Sequence, residues 1–397
     1  MAILIEEAVT LARAQAAPLP EEYALLSEAL GRVLTRDVLA PLDQPPFDRS
    51  PLDGYAICAE DVAGASPERP VTLKVVDKLY AGQVSRTAIR PGEAVRLMTG
   101  AMLPEGTTGV IRQEDTDLGE SRVQVFRGGR CDKNCCRRGE EYTKGALLLP
   151  AGTRVDAAAL AVAAGVGLAH LPVHRRPRAA ILSSGDELCQ PGQPLPGGKI
   201  YGSNAVYLSA RLGQLGAEVA ESEFISDNTA DIVRALERLR ECDLILTTGG
   251  VSVGQRDLIP AALEAAGANV IFHGVAIKPG MPTLLAVLGH TVLLGLSGNP
   301  FSAAVAFELL LRPILAGMTL DGSLELRWRE AAAENDFQKA SPTRRFLRAR
   351  VSGQTVAFPE AQSNGQMRGM VGCNCLIDIP AGSAAVRRGD QVQVLLL

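Results

Sequence analysis

The stretch LTTGGVSVGQRD, residues 246–257, continues an apolar run, places three glycines close together, and ends on an arginine and an aspartate. An apolar run that stops at a glycine-rich turn is typical of a buried strand followed by a tight loop. Backbone N–H groups in such a loop can surround an anion, and the helix that we expect to begin near Asp257 adds its positive N-terminal end. The N–H groups predicted to bind the anion are those of Gly249, Gly250, Val251, Ser252 and Gly254.

The residues on both sides of this stretch repeat one pattern of strand, loop and helix. From residue 178 it runs through AAILSSGDE, SNAVYLSARLGQLGAE and CDLILTTGG, which predicts a doubly wound α/β domain with a parallel-rich sheet. The binding crevice of such a sheet lies at the carboxyl ends of its strands, which here carry SSGDE, SDN, TTGG, IKPG and SGNP. We therefore expect these polar segments to meet at one edge of the sheet.

A second glycine-containing loop follows an apolar strand at Gly298, Asn299 and Pro300, and Ser302 helps to open the next helix. One glycine-rich loop is weak evidence, because many turns use glycine only for its positive φ. Two loops that open helices on the same edge predict a ligand with more than one phosphate-like group.

Four acids each follow a predicted strand. The alternative for each is a helix N-cap or a solvated loop carboxylate, and for Asp227 and Asp257 taken alone this alternative is preferred. Several carboxylates beside a phosphate are tolerated only with a divalent cation or a proton between them, and hard oxygen ligands suit Mg²⁺. As a set they predict a magnesium site formed by Asp186, Glu187, Asp227 and Asp257.

Lys278 of IKPG is the cation that we expect to bind a phosphate or an oxyanion, with Arg137 and Arg138 as further candidates. The alternative for Lys278 is a surface lysine at a strand end. The four histidines show no metal-ligand spacing, and packing or surface roles explain them.

Composition excludes several classes of protein. A formal charge of −4 over 397 residues argues against general nucleic-acid binding. The N-terminus has acids where a secretory signal needs a basic start, and the apolar run at residues 157–173 is cut by His170 and Pro172. Eight cysteines in a chain of this length are too sparse for a disulfide scaffold. We expect a cytoplasmic protein with reduced thiols and with no membrane or nucleic-acid partner.

Eight segments occur in an order that carries a resemblance. They are PPFDRSPLDGYAI, VRLMTGAMLPEGTTGVIRQEDT, RRGEEYTKG, LSSGDEL, GKIYGSN, TTGGVSVGQRD, IKPG and SGNPFSA. Over essentially its whole length the chain resembles the molybdopterin molybdenumtransferase family, which includes the E domain of gephyrin.

The resemblance implies an elongated multidomain homodimer. Such a protein takes adenylylated molybdopterin and molybdate, inserts the metal into the dithiolene, and releases AMP with the help of Mg²⁺. Asp53 of PLDGYA and Thr99 of RLMTGA match family positions in the small β domain that complete the crevice, commonly that of the other subunit. Positions linked in the family to the metal, the phosphates or the oxyanion are matched by Glu187, Asp227, Asp257 and Lys278. The family's GNP loop is matched by Asn299 and Pro300, with Ser302 following it.

We expect four domains. Residues 4–34 have helical spacing around the prolines at 18 and 20, which predicts two short helices, whereas residues 41–125 are rich in short β-prone runs. The last residues alternate as in a small β domain. The predicted domains are an N-terminal helical or linker domain (1–40 and 136–172), a small mainly β domain (41–135), the α/β molybdopterin-binding domain (173–318) and a C-terminal β-barrel-like domain (322–397).

The chain departs from the family pattern at several positions. Glu141 and Gly202 stand where aspartate is usual or common, and Ser297 stands where proline is usual. Gly274 and Met281 stand where many members carry lysine, which reduces the positive charge expected in the cleft.

Five cysteines also replace residues that are usually small or an Ala-Asn pair: Cys131, Cys135, Cys136, Cys373 and Cys375. Their spacing is not that of a standard zinc site, so structural thiols are the preferred interpretation. A role in handling metal or dithiolene sulfur is a hypothesis, because thiolates bind soft metals.

Two other functions are consistent with the α/β module. A molybdopterin adenylyltransferase would lack the PLDGYA and MTGAMLPEGTTGV segments, which this chain has. A non-catalytic cofactor carrier or scaffold would explain the missing lysines and aspartate. The sequence does not decide between molybdate and tungstate, and no residue is predicted to be a covalent nucleophile.

Overall fold

A computed structural model describes residues 2–251, 258–360 and 362–397 of the chain. The chain forms two compact units. The first comprises Met1–Thr35, Gly152–Asp156 and Pro172–Leu397, and the second comprises Arg36–Ala151 and Ala157–Leu171. The division into four domains stays a prediction.

The helices and strands up to residue 171 are, in chain order, α1 (Ile5–Ala14), β1 (Glu21–Leu25), α2 (Leu26–Ala29), β2 (Val38–Leu39), β3 (Gly54–Ile57), β4 (Val71–Leu79), β5 (Glu93–Leu97), β6 (Gly109–Arg112), β7 (Arg122–Val125), β8 (Leu147–Leu149) and α3 (Ala157–Gly165). The next segment contains β9 (His170–His174), β10 (Arg178–Ser184), β11 (Leu188–Cys189), β12 (Ile200–Tyr201), α4 (Ser203–Gln214), β13 (Glu218–Ile225), α5 (Thr229–Arg238), β14 (Leu244–Thr248), α6 (Ile259–Ala265), β15 (Asn269–His273), β16 (Ile277–Lys278), β17 (Leu284–Leu288), β18 (Thr291–Leu296), α7 (Pro300–Ala306) and α8 (Arg312–Thr319). The chain ends with β19 (Arg327–Ala333), β20 (Arg344–Ser352), β21 (Thr355–Ala357), β22 (Cys375–Ile379) and β23 (Gln391–Leu396).

The beginning of the chain differs from the prediction of two helices. α1 forms as expected, but the residues of β1 are extended, and only the single turn of α2 follows them. β1 pairs with β9 in a two-stranded sheet, so a contact with a strand far along the chain overrides the local helical spacing. The second predicted helix is therefore wrong over β1.

The second unit contains a five-stranded sheet with the order β6-β3-β5-β4-β7. Successive side chains of a strand point to opposite faces, so Tyr55 and Ile57 pack into one buried cluster and Ala56 into another. Both faces of the sheet are thereby covered. The prediction of a small, mainly β domain is confirmed.

The first unit is built on a six-stranded sheet with the order β13-β10-β14-β18-β17-β15. β13, β10, β14 and β18 are parallel, and β17 is antiparallel to both of its neighbours, so β15 runs in the same direction as the first four. Every residue of β14 and β18 is buried, as expected for central strands covered on both faces. The predicted parallel-rich α/β domain is confirmed.

Helices cover the two faces of this sheet. Residues of α1, α4, α7 and α8 share one buried cluster with Leu246 of β14, and residues of α5 and α6 share another with Ile245. Adjacent residues of β14 thus pack against helices on opposite faces of the sheet, which is the doubly wound arrangement.

A 20-residue helix, Pro300–Thr319, follows β18. It comprises α7, a π-helical turn at Phe307–Leu311, and α8. By length and composition it is the one helix in the described part of the chain that could cross a membrane, but 94% of its most apolar window is buried inside the protein. Burial to this extent is typical of a helix in the core of a globular domain.

The C-terminal strands form a small closed barrel. The order β20-β21-β19-β23-β22 returns to its start because β22 also pairs with β20, and β16 pairs in parallel with the first two residues of β20. Closure leaves no unpaired edge among the five barrel strands. The predicted barrel-like C-terminal domain is confirmed.

A buried ion pair connects the long helix to α4. Glu308 in the π-helical turn is 1% exposed and accepts hydrogen bonds from Arg211 Nε at 2.6 Å and Nη2 at 3.1 Å. Removing one partner of a buried pair leaves an uncompensated charge in the core.

We expect Glu308→Ala to lower the free energy of unfolding by about 3–5 kcal/mol, measured by urea denaturation. The matched control is Glu221→Ala, which breaks an ion pair with the half-exposed Arg238. Breaking that surface pair should cost about 1 kcal/mol or less. Equal losses in the two variants would contradict the structural role of the buried pair.

Candidate active site

Three neighbouring strands end together in the α/β sheet. Ser183 of β10 lies in register with Thr248 of β14, and Thr248 lies in register with Leu296 of β18. The loops SSGDE, TTGG and SGNP therefore leave the sheet at the same edge and border a cavity of about 350 Å³. The cavity is lined by Ser183, Ser184, Glu187, Leu188, Ile200, Tyr201, Gly202, Ser203, Asn204, Thr248, Gly249, Gly298, Asn299, Pro300 and Gly365.

The first turn of α4 holds two of these loops together. Asn204 Nδ2 donates a hydrogen bond to Thr248 Oγ1 at 2.7 Å and another to the Gly298 carbonyl oxygen at 2.9 Å. This side-chain amide, together with the Gly249 N–H that donates to the Leu296 carbonyl oxygen at 3.1 Å, fixes the spacing between the TTGG and SGNP loops.

Gly249 and Gly250 have φ values of +90° and +63°, which favour glycine. A Cβ atom on Gly249 would lie 2.3 Å from the Ser184 carbonyl oxygen, which is too close for any side chain. The loop consequently runs directly against the end of β10. Ser252, Gly254 and Asp257 lie outside the described residues, so their part in the anion site stays a prediction.

The SGNP loop opens the long helix. Asn299 is the N-cap of α7 but makes no side-chain capping bond, and its own N–H donates to Ser297 Oγ at 3.2 Å. Pro300 occupies the first helical turn, as predicted from the sequence. Ser302 is 3% exposed and lies within α7 rather than in the cavity lining.

Two of the predicted metal-binding acids come together. Asp227 Oδ1 accepts a hydrogen bond from Ser184 Oγ at 2.5 Å. The backbone N–H of Asp227 donates to Asp186 Oδ1 at 3.3 Å, and the N–H of Asp186 donates to Asp227 Oδ2 at 3.4 Å. The ends of β10 and β13 are thus linked through a pair of carboxylates.

Glu187 lines the cavity, whereas Asp257 lies outside the described residues. Within residues 2–251, 258–360 and 362–397, no group of three or more histidine, cysteine, aspartate or glutamate side chains is placed to hold a metal ion. The structure therefore brings together a pair of acids, and the predicted set of four is not assembled by the described residues.

Lys278 lies elsewhere than the sequence predicts. It belongs to β16, where it lies in register with Arg345 of β20 in the barrel sheet, and it is exposed. β15 ends at His273, and the intervening Ala276 donates its N–H to the Ile3 carbonyl oxygen. The chain has therefore left the α/β sheet before IKPG, and Lys278 is not part of the cavity lining.

Asp53 and Thr99 lie in the second unit and contact each other. Asp53 Oδ1 accepts hydrogen bonds from the backbone N–H and from the Oγ1 hydroxyl of Thr99, both at 2.7 Å. These bonds, with the backbone bond contributing most, hold the pKa of Asp53 below its ordinary value. The two segments PLDGYA and RLMTGA thus place an ionised carboxylate, that of Asp53, in a position fixed by Thr99.

Arg137 and Arg138 also belong to the second unit, and both are paired with acids. Arg137 Nη1 lies 2.7 Å from Asp48 Oδ2, and Arg138 Nε lies 2.5 Å from Asp43 Oδ2. Their charges are therefore partly compensated within the unit itself, which weakens them as candidates for binding a substrate anion.

All eight cysteines are free thiols. Cys131 is 5% exposed and packs against Gly109, where an added Cβ would lie 2.9 Å from its Sγ. Burial raises the pKa of Cys131 and raises that of Cys375 to about 12. Neutral thiols are poor metal ligands, so burial favours a structural role for these two residues.

Several residues of the cavity escaped the sequence analysis. Ser183 precedes the SGDE acids and Asn204 lies in the quoted GKIYGSN segment, so their proximity to the predicted loops was an available signal. Gly365 comes from the loop between β21 and β22 of the barrel. No local pattern reveals that contact, because it depends on how the barrel packs on the α/β sheet.

Comparisons with known proteins identify the family. Models of three regions match in order: the MoeA N-terminal region (domain I and II) at residues 3–167, a probable molybdopterin binding domain at residues 180–317, and the MoeA C-terminal region (domain IV) at residues 330–397. Molybdopterin molybdenumtransferase of Bacillus subtilis is 38% identical over 385 residues, which cover 95% of this chain and 90% of that protein. The chain belongs to the molybdopterin molybdenumtransferase family.

Other relatives agree with this assignment. Molybdopterin molybdenumtransferase 2 of Mycobacterium tuberculosis is 37% identical and covers 93% of both chains. The crystal structure of the molybdopterin biosynthesis MoeA protein from Pyrococcus horikoshii superposes with a TM-score of 0.84 and 28% identity, covering 100% of this chain and 99% of that one. The predicted family, and the prediction of a transferase in molybdenum cofactor biosynthesis, are confirmed.

The contact between Gly249 and β10 generates a stability prediction. Gly249→Ala should lower the free energy of unfolding by several kcal/mol, since the added methyl group strikes backbone in addition to the strain of a positive φ. The matched control is Gly267→Ala, where φ is +75° but nothing lies within 4 Å of an added Cβ. That variant should lose only about 1–2 kcal/mol in the same urea titration. Equal losses would show that the close approach to Ser184 has no energetic weight.

The thiols generate a prediction of reactivity. At pH 8, well below the raised pKa of Cys375, the thiol is protonated and unreactive. Iodoacetamide should leave Cys131 and Cys375 unmodified in the native protein, and peptide mass spectrometry should find all eight cysteines alkylated after denaturation. Rapid native alkylation of Cys375 would contradict its burial.

Proposed function

We propose that the chain inserts molybdate into adenylylated molybdopterin, cleaves its phosphoanhydride, and releases AMP with the assistance of Mg²⁺. The supporting observation is that Asn204 holds two glycine loops at one cavity, beside a pair of carboxylates at the adjoining strand ends. Backbone N–H groups at helix and loop starts suit phosphates, and paired acids suit a divalent cation that accompanies them.

The residues present fit a magnesium ion. Mg²⁺ is commonly bound through one or two protein carboxylates, with substrate phosphates and water completing its ligands. Asp186 and Asp227 supply two carboxylates that already lie side by side. When bound, the ion would neutralise charge on the phosphates of the substrate. Glu187 and Asp257 remain candidates for further ligands.

The protein's own contribution is mainly positioning. The N–H groups of Gly250 and Gly298, with the Asn299 side chain, orient the phosphate that departs with AMP. The N–H groups of Gly249 and Asn299 already donate to the Leu296 carbonyl oxygen and to Ser297 Oγ, and so hold the two loops in place. Ser184 fixes the Asp227 carboxylate through its hydroxyl, so this acid does not have to reorganise when substrate binds. No covalent intermediate with the protein is required.

Three further features belong to the proposal. Lys278, a cation on the barrel sheet, is assigned to binding of the oxyanion or the phosphates. Asp53, an ionised carboxylate beside Thr99, is assigned to completing the crevice, commonly that of the other subunit. The protein is proposed to be a cytoplasmic homodimer. Light scattering of the purified protein tests the oligomeric state.

The reaction is tested by adding molybdate and Mg²⁺ to the purified protein with adenylylated molybdopterin and measuring released AMP. Release that requires both additions supports the proposal. Tight binding of the adenylylated pterin without any release would indicate a carrier or scaffold. Turnover of ATP with free molybdopterin would instead indicate an adenylyltransferase.

Asp227→Asn should reduce the rate of AMP release on the order of 10²-fold, because it removes one charge from the acid pair while keeping the shape of the side chain. The matched control is Asp231→Asn, four residues later in the same segment, where the acid pairs with the exposed Arg234. The control should retain its rate. An undiminished rate in Asp227→Asn would remove this acid from the proposed mechanism.

A further inference from the structure

A second cavity, of about 290 Å³, lies in the first unit at the opposite end of β10 from the candidate active site. Its lining includes Pro177, directly before β10, and Leu324, which follows α8. The candidate active site lies at the other end of this strand, and the two cavities share no lining residue. The seven residues of β10 span roughly 20 Å, so a ligand in the second cavity is remote from the active site.

The lining of this cavity, which we call the arginine cavity, contains Arg32, Arg154, Arg175 and Arg176. Asp321 is the one acid among the lining residues. Two further acids pair with lining arginines from outside the cavity, Glu22 with Arg32 and Asp243 with Arg175. Four cations against three acids leave an excess of one positive charge, in a chain whose formal net charge is −4. That excess favours an anionic ligand.

Two of these arginines keep hydrogen-bond donors that have no partner in the described part of the protein. Arg154 donates from Nε to Asp321 Oδ2 at 3.1 Å, which leaves the N–H groups of Nη1 and Nη2 unused. Arg176 donates one long bond, from Nη2 to the Glu28 carbonyl oxygen at 3.4 Å, and pairs with no acid there. A guanidinium with free N–H groups binds a carboxylate through two parallel hydrogen bonds.

The remaining lining of the arginine cavity suits a short aliphatic body. Apolar side chains are contributed by Leu30, Val33, Leu215 and Leu324. Small-molecule sites in proteins begin at about 300 Å³, so a cavity of about 290 Å³ takes a small ligand. The chemistry of the lining therefore calls for a compact molecule with apolar atoms and with anionic groups.

From these observations we infer that the arginine cavity binds a small aliphatic dicarboxylate, with one carboxylate on Arg154 and the other on Arg176. The Arg154 guanidinium is held in place by Asp321, and a Cβ atom on Gly31 would lie 3.3 Å from its Nη2. A guanidinium fixed before the ligand arrives loses little freedom on binding. The inference does not depend on the proposed reaction.

The arginine cavity adjoins the segments that connect the two units of the chain. The chain passes from one unit to the other after Thr35, Ala151, Asp156 and Leu171. Arg32, Arg154 and His174 lie close to these passages in the sequence, and all three line the cavity. The connecting segments are already joined by the Gly31 N–H, which donates to the Val155 carbonyl oxygen at 2.8 Å. A dicarboxylate in the cavity should hold these segments together more firmly.

Glutarate is the probe for this site, and isothermal titration calorimetry measures its binding. The wild-type protein should bind one glutarate per chain, and glutaramide, the neutral diamide of the same shape, should not bind. Arg176→Gln should weaken glutarate binding about ten-fold, which corresponds to the loss of hydrogen bonds to a charged group. The variant should keep the melting temperature of the wild-type protein, because no acid loses its partner.

The matched control for Arg176 is Arg234→Gln. Arg234 lies outside the cavity lining, its side chain is 76% exposed, and its replacement changes the net charge of the protein by the same amount. The control should retain the wild-type affinity for glutarate. Equal weakening in the two variants would mean that general electrostatic attraction explains the binding, and it overturns the site. Wild-type protein that gives no saturable binding of glutarate overturns it as well.

Hydrogen exchange locates the bound probe. Glutarate should slow exchange of the Gly31 and Val155 amides, which hydrogen-bond across the connecting segments beside the cavity. Exchange of the Asn299 amide in the candidate active site should stay unchanged. Slower exchange at Asn299 without any change at Gly31 and Val155 would place glutarate in the candidate active site and would overturn the inference.

Discussion

The site depends on the two hydrogen bonds that the Asn204 side chain donates, one to Thr248 Oγ1 and one to the Gly298 carbonyl oxygen. The two loops also contact each other directly, since Thr248 Oγ1 and the Gly249 N–H donate to the Ser297 and Leu296 carbonyl oxygens. Together with these bonds the amide sets the distance between the loops, and it does so from the first turn of a helix packed into the core. A ligand entering the cavity meets donors whose arrangement is already determined.

The direction of the strands supplies the rest of the chemistry. Because β10, β13, β14 and β18 are parallel, their loops begin at one edge, and groups far apart in sequence become neighbours. Ser184 and Asp227, for example, are 43 residues apart and share a hydrogen bond. Neutral donors thus lie beside the glycine loops, and the paired acids lie at the adjoining strand end. That separation suits a ligand whose phosphates need both N–H groups and a cation.

The sequence predicted the parts of the fold that depend on local pattern. Alternating strand and helix signals located the α/β sheet, and the loops at Gly249 and Gly298 were identified because their glycines follow apolar runs. The position of Lys278 was not predictable, since IKPG follows a strand closely in sequence yet pairs with β20 of the barrel. Gly365 was also missed, because its place in the cavity lining depends on tertiary packing, which no short-range pattern records.

The most direct test of this account is a crystal structure of the protein with adenylylated molybdopterin. The account predicts a phosphate in the cavity between the ends of β10, β14 and β18, with its oxygens about 3 Å from backbone nitrogens of the glycine loops or of the first turn of α4. A nucleotide bound with its phosphates outside that cavity would contradict the account, whatever the activity of the protein.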